Sequence, residues 1–106
     1  MRQNIRNTKN YERVMCKDGF NFSVQAANWK YCSPRSDVGP YHEVEVGFPS
    51  QREELIMPWM EGSESSGADP TQSVYAWVPA STVMDVIRKH GGMTGGELPP
   101  LVQRRG

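Results

Sequence analysis

Cys16, Cys32, His42 and His90 carry the donor atoms that zinc prefers, and the two cysteines are also the chain's candidate nucleophiles. Their spacing argues against a local metal site. They are separated by 15, 9 and 47 intervening residues, with no close pair to form a knuckle, so neither a metal nor another cofactor is expected. A catalytic thiol would need a histidine beside it and a third group orienting that histidine. Cys32 is the better placed, because Arg35 would lower its pKa and the loop around it would expose it. No motif completes such an arrangement, and the chain reads as a non-enzyme.

Paired carboxylates are the next chemistry to weigh. Glu43 and Glu45, two apart on an extended segment, point the same way and lie about 7 Å from one another. Nothing apolar flanks them to raise one pKa, so they serve as a charged outer face and not as acid and base. Together with Glu53, Glu54 and Trp59 they make the expected partner-binding surface. Trp29, Lys30, Tyr31 and Arg35 form the one aromatic and basic cluster, of the kind that stacks a base and holds a phosphate. Trp77, Tyr75 and Phe22 would extend it if they left the sheet on the same side. That cluster is the alternative, ligand-binding site.

Charge sorts these sites by partner. Twelve Lys and Arg balance twelve Asp and Glu, so no net charge drives binding to nucleic acid or an anionic membrane. The balance is uneven along the chain. Residues 36–69 hold eight acidic residues against Arg52 alone, whereas the remainder holds four acidic and eleven basic. An acidic middle of this kind suits a protein with a basic surface. No apolar run approaches a membrane span or a signal peptide, so a cytoplasmic protein with reduced thiols is expected.

The elements that must position these residues follow from hydropathy. Val14 and Cys16, then Phe20, Phe22, Val24 and Ala26, alternate with polar residues on either side of Lys17-Asp18-Gly19, which predicts a hairpin of Tyr11–Cys16 and Phe20–Ala26 turning at Gly19. Residues 41–48 alternate again and give a third strand with Glu43 and Glu45 outside. A short edge strand is expected at Leu55–Met57, ended by Pro58, then a mobile Gly/Ser/Glu-rich loop over 61–71. Residues 73–78, rich in β-formers, make the last strand. Val83, Val86, Ile87 and His90 then share one helical face, with Arg88 and Lys89 near the negative end of the helix dipole and Gly91-Gly92 as the stop. The expected fold is α+β: a small antiparallel sheet of four or five strands with one C-terminal helix on one face. The domain spans 11–92, between tails at 1–10 and 93–106. Unpaired edge strands would allow a homodimer.

The motifs Cys16-Lys17-Asp18-Gly19-Phe20, Ser23-Val24-Gln25-Ala26, Tyr31-Cys32-Ser33-Pro34-Arg35, Val44-Glu45-Val46-Gly47-Phe48-Pro49-Ser50 and Val74-Tyr75-Ala76-Trp77-Val78-Pro79 resemble small uncharacterised proteins encoded by bacteriophages and prophages. The resemblance covers residues 13–92 and transfers no functional residue. It implies an accessory protein that occupies a host component, including antagonists of host defence that block an effector or sequester a signalling nucleotide. The expectation is therefore a non-enzymatic protein binding a basic host protein through its acidic strand face, with nucleotide sequestration as the alternative.

Overall fold

The computed structural model of the protein describes residues 10–102. The expected N-terminal tail, save Asn10, and the basic residues Arg104 and Arg105 lie outside the described residues. Strands β1 (Val14–Cys16), β2 (Asn21–Gln25), β3 (Glu43–Gly47) and β4 (Val74–Pro79) are followed by helix α1 (Ala80–Lys89) and strand β5 (Met93–Gly95). All pair antiparallel in one sheet of order β4-β3-β2-β1-β5. This is an α+β fold with a five-stranded antiparallel sheet and one main helix.

Alternation does its expected work in the first three strands. Val14, Cys16, Phe22, Val24, Val44 and Val46 all turn inward and are buried. Between β1 and β2 the turn closes through Gly19, whose φ of +98° only glycine adopts without cost. Gln25 adds a device of its own. Its side-chain amide accepts from the Tyr11 amide at 2.8 Å and donates to the Tyr11 carbonyl at 2.7 Å, replacing the two bonds of a strand partner.

Helix α1 begins with the Ala80 amide bonded to the His42 carbonyl at 2.8 Å. Val83, Val86 and Ile87 enter the core at roughly 1.5–3 kcal/mol each. The helix stops as expected. Gly91 and Gly92, at φ +91° and +101°, donate back to the carbonyls of Arg88 and Ile87, a Schellman ending.

Three segments differ from the sequence reading. Residues 54–59 form a 3₁₀ helix and not an edge strand, because the Glu53 side chain caps the Leu55 amide at 3.0 Å and Ile56 reaches the core from that turn. The 61–71 span, expected as a mobile loop, holds two further 3₁₀ turns, Glu64–Ser66 and Pro70–Gln72. They are fastened by Arg52 gripping Glu64 and by Asp69 accepting from Thr71. The folded domain also continues past residue 92. After β5, the Tyr41 amide donates to the Pro100 carbonyl and the Val102 amide to the Tyr41 carbonyl, while Leu98 and Leu101 pack against the core.

The glycines that read as a tail are what let β5 form. At Gly96, φ is +91° and a Cβ would lie 2.1 Å from the Arg13 carbonyl oxygen, so the chain passes β1 too closely for any side chain. Gly96→Ala is therefore expected to cost about 2 kcal/mol of stability, from the left-handed backbone and the displaced strand together. Urea unfolding checks it.

The sheet's edges are unequal. On β4 the Val74 carbonyl accepts from Glu61, the Trp77 amide donates to the Tyr31 carbonyl, and Met60 bridges Tyr75. That edge is largely covered by its own loops. The other edge is β5, three residues long.

Candidate binding surface

The loop from β2 to β3 carries Trp29, Lys30, Tyr31, Cys32 and Arg35. It is closed by short-range bonds: Lys30 to the Ala27 carbonyl, Cys32 to the Lys30 carbonyl, the Asn28 amide to Asp37, and the Arg35 Nε to the Asn28 carbonyl. Tyr41 anchors its far side, buried and donating from Oη to the Ser36 carbonyl at 2.8 Å. Thus held, the loop presents Trp29 and Tyr31 outward, 51% and 38% exposed.

Trp77 meets them from β4. Strict alternation would send Tyr75 and Trp77 to one face and Ala76 and Val78 to the other. The register shows otherwise. Val44 pairs with Val78 and Val46 with Tyr75, so Glu45 alone stands opposite both Ala76 and Trp77. This β-bulge absorbs one residue. Tyr75 and Val78 thereby both reach the core, while Trp77 turns out, 42% exposed. The backbone at Trp77 adopts φ +53°, a left-handed conformation costing a bulky residue about 1–2 kcal/mol. The fold accepts that strain to display an indole.

The side chains converge around the bulge. Tyr31 and Trp77 lie with ring centroids 5.0 Å apart at 36°. The Lys30 ammonium sits 4.0 Å from the Trp29 ring centroid and 3.7 Å from Glu45, joining loop, sheet and indole. Glu43, two residues from Glu45, leaves β3 on the same side. The outcome is a surface of three aromatics edged by carboxylates, around one internally compensated lysine.

The five residues expected to bind a partner do not form one face. Glu43 and Glu45 point away from the core, although Glu45 is paired. Glu54 is exposed and bonded to Arg52. Trp59 is half-buried against the core. Glu53 requires correction: it is 1% exposed and belongs to the interior.

Of the alternative set, Lys30 lies over the Trp29 ring, while Tyr31 in the same loop packs on Trp77. Arg35 is exposed but closes its own loop through Asn28. Trp77 joins Tyr31 as the composition allowed, whereas Tyr75 and Phe22 are core residues. No sequence signal announced the bulge.

Of the thiol and metal candidates, Cys16, Cys32 and His90 look inward, whereas His42 is exposed. Cys16 and Cys32 are free and buried. The Cys32 thiol donates to the Ala27 carbonyl at 3.0 Å, and burial pushes its pKa up despite the opposing pull of Arg35. The expected exposure and activation of Cys32 are thus overturned. Among the described residues, no three His, Cys, Asp or Glu side chains are grouped to hold a metal.

His90 shares the buried face of α1 as its spacing predicts, but it is held there by carboxylates. It is 5% exposed, with Nδ1 2.6 Å from Asp18 Oδ2 and Nε2 2.6 Å from Glu53 Oε1. Glu53 additionally accepts from Lys89 at 2.7 Å and caps Leu55. Both ring nitrogens face carboxylates, so this histidine has no free nitrogen for a substrate proton.

Among the described residues, no helix is long and apolar enough to cross a membrane. What fold and surface together define is an α+β domain that displays a strained tryptophan on a bulged edge strand. No family model, curated protein or solved structure matches the chain.

Proposed function

We propose that this is a non-enzymatic binding protein that docks a partner protein through Trp29, Tyr31 and Trp77, with Glu43 and Glu45 at the edge of the contact. The observation that carries this reading is the β4 bulge, which spends backbone strain to expose Trp77 beside Tyr31. Tryptophan and tyrosine are the residues in which interface energy concentrates. The carboxylates suit a partner with a basic surface, whose arginines would stack on the indoles and pair with Glu43. A phage-type accessory protein occupying a host protein, as in antagonism of host defence, would act in this way, in the host cytoplasm. Nucleotide sequestration by the same aromatics has less support, since the Lys30 charge is already met by Glu45 and the Arg35 Nε is tied to the Asn28 carbonyl within its own loop.

The test is capture of partners from bacterial extract on immobilised protein, comparing wild type with Glu43→Lys. That substitution leaves the Lys30–Glu45 pair intact. The reading expects a protein retained at low salt, released as salt rises, and held more weakly by the variant. Capture indifferent to salt and to Glu43→Lys, or a nucleotide copurifying in place of a protein, would contradict it.

A further inference from the structure

We propose that His90 is a protonation-controlled latch that holds the Lys17-Asp18-Gly19 turn against the C-terminal end of α1. Two separate parts of the chain, the β1–β2 hairpin and the segment at Glu53, meet at its ring. The β1–β2 turn brings Asp18 to Nδ1, the segment entering the 54–59 helix brings Glu53 to Nε2, and Phe20 stacks on the imidazole at 4.1 Å and 11°. The other charges are Lys89, bonded to Glu53, and Lys17, which with Asp18, Lys89, His90 and Gly91 lines an open depression of about 400 Å³. Arg88, on the same helix, is exposed and paired with Asp85.

Donor counting gives the latch its two states. Imidazolium donates from both nitrogens and satisfies both carboxylates at 2.6 Å. Neutral imidazole has one N–H, so one nitrogen lone pair must face a carboxylate oxygen. One contact then opens. Glu53 is buried and also holds Lys89 and the Leu55 amide, whereas the Asp18 side chain is 52% exposed, its Oδ1 is bonded to the Phe20 amide of its own hairpin, and its Oδ2 can turn to water. Deprotonation therefore keeps Glu53 and frees Asp18.

The turn moves with it. In the closed state the Asp18 amide donates to the His90 carbonyl at 3.2 Å and the Lys17 amide to the Gly92 carbonyl at 2.9 Å, covering the helix end. Release of Asp18 exposes these bonds and widens the depression. Burial opposes charge on His90, yet the hydrogen bonds it donates to Glu53 and Asp18 outweigh it and hold the imidazole pKa above its ordinary 6.5. The latch is thus fully closed below that ordinary value and opens as pH rises through the raised one.

Nitrogen-15 NMR of the full chain from pH 6 to 10 tests this, following the His90 ring and the exchange protection of the Asp18 amide, corrected for intrinsic base catalysis. The expected result is an imidazole titrating above its ordinary value, with Asp18 protection falling at least about tenfold in the same window. The Gly92 amide, bonded to Ile87 within the helix ending, should keep its protection. Asp18→Asn should lower the His90 midpoint and leave turn protection flat with pH. Either Asp18 protection that stays constant while His90 titrates or a His90 still protonated at pH 10 would overturn the latch. It shares no residue with the aromatic surface, so the two stand or fall separately.

Discussion

Glu53→Ala is expected to lower the stability of the domain by about 3–5 kcal/mol, the cost of breaking a buried ion pair from one side. The carboxylate is 1% exposed and its removal strands the Nε2 side of the buried His90 ring, while also taking the ion-pair partner from the exposed Lys89 and the cap from the Leu55 amide. In a chain of 106 residues, each kcal/mol moves the thermal midpoint by roughly 4–8 °C, so a fall of more than about 12 °C should be plain by circular dichroism. Glu53→Gln, keeping shape and an acceptor for Leu55, should cost less. If Glu53→Ala melts like the wild type, the interior network does not hold the fold together.

The same network sets the pH range of greatest stability. Burial disfavours the Glu53 charge, but its bonds to His90 and Lys89 outweigh that and hold its pKa below the ordinary 4.5. Its contribution is therefore present above that value and is lost as pH falls through the lowered one. The Asp18 contribution follows the same sign, its carboxyl being lowered by the Phe20 amide and His90. The contribution of His90 runs oppositely, present below 6.5 and lost at higher pH. All three are complete together between pH 4.5 and 6.5, so stability should peak on the acid side of neutrality.

The second large effect concerns binding. Trp77→Asn should weaken partner retention by at least about thirtyfold, the loss typical of a hot-spot residue, while changing stability by no more than about 1 kcal/mol. Asparagine tolerates the left-handed backbone at φ +53° far better than tryptophan does. That relief offsets the lost packing with Tyr31, worth about 0.5–1.5 kcal/mol. Binding and stability thus separate at this residue. A variant that melts like the wild type yet no longer retains the partner is the expected outcome, measured by surface binding beside thermal unfolding.

Much of the fold was legible because burial imposes periodicity. Val14, Cys16, Phe22 and Val24, the Gly19 turn, and the Val83–Val86–Ile87 face all stand where spacing put them. Tertiary pairing was harder to read. Met93-Thr94-Gly95 looks like a tail until β1 offers an edge, and the need for glycine at residue 96 comes from Arg13, far away in sequence. Local composition also placed Glu53 wrongly, since its partners are thirty-six and thirty-seven residues distant. Two of the three aromatics of the surface were visible in Trp29-Lys30-Tyr31. Trp77 was assigned only by the bulge, which breaks the alternation that sequence reasoning relies on.

The three tryptophans supply the most direct test of the proposed docking surface. Indole N–H resonances of Trp29, Trp59 and Trp77, recorded as the captured partner is added, report two exposed rings and one packed against the core. The account predicts that Trp29 and Trp77 shift or broaden while Trp59 stays fixed. Perturbation of Trp59 alone, with Trp29 and Trp77 unchanged at saturation, would contradict it.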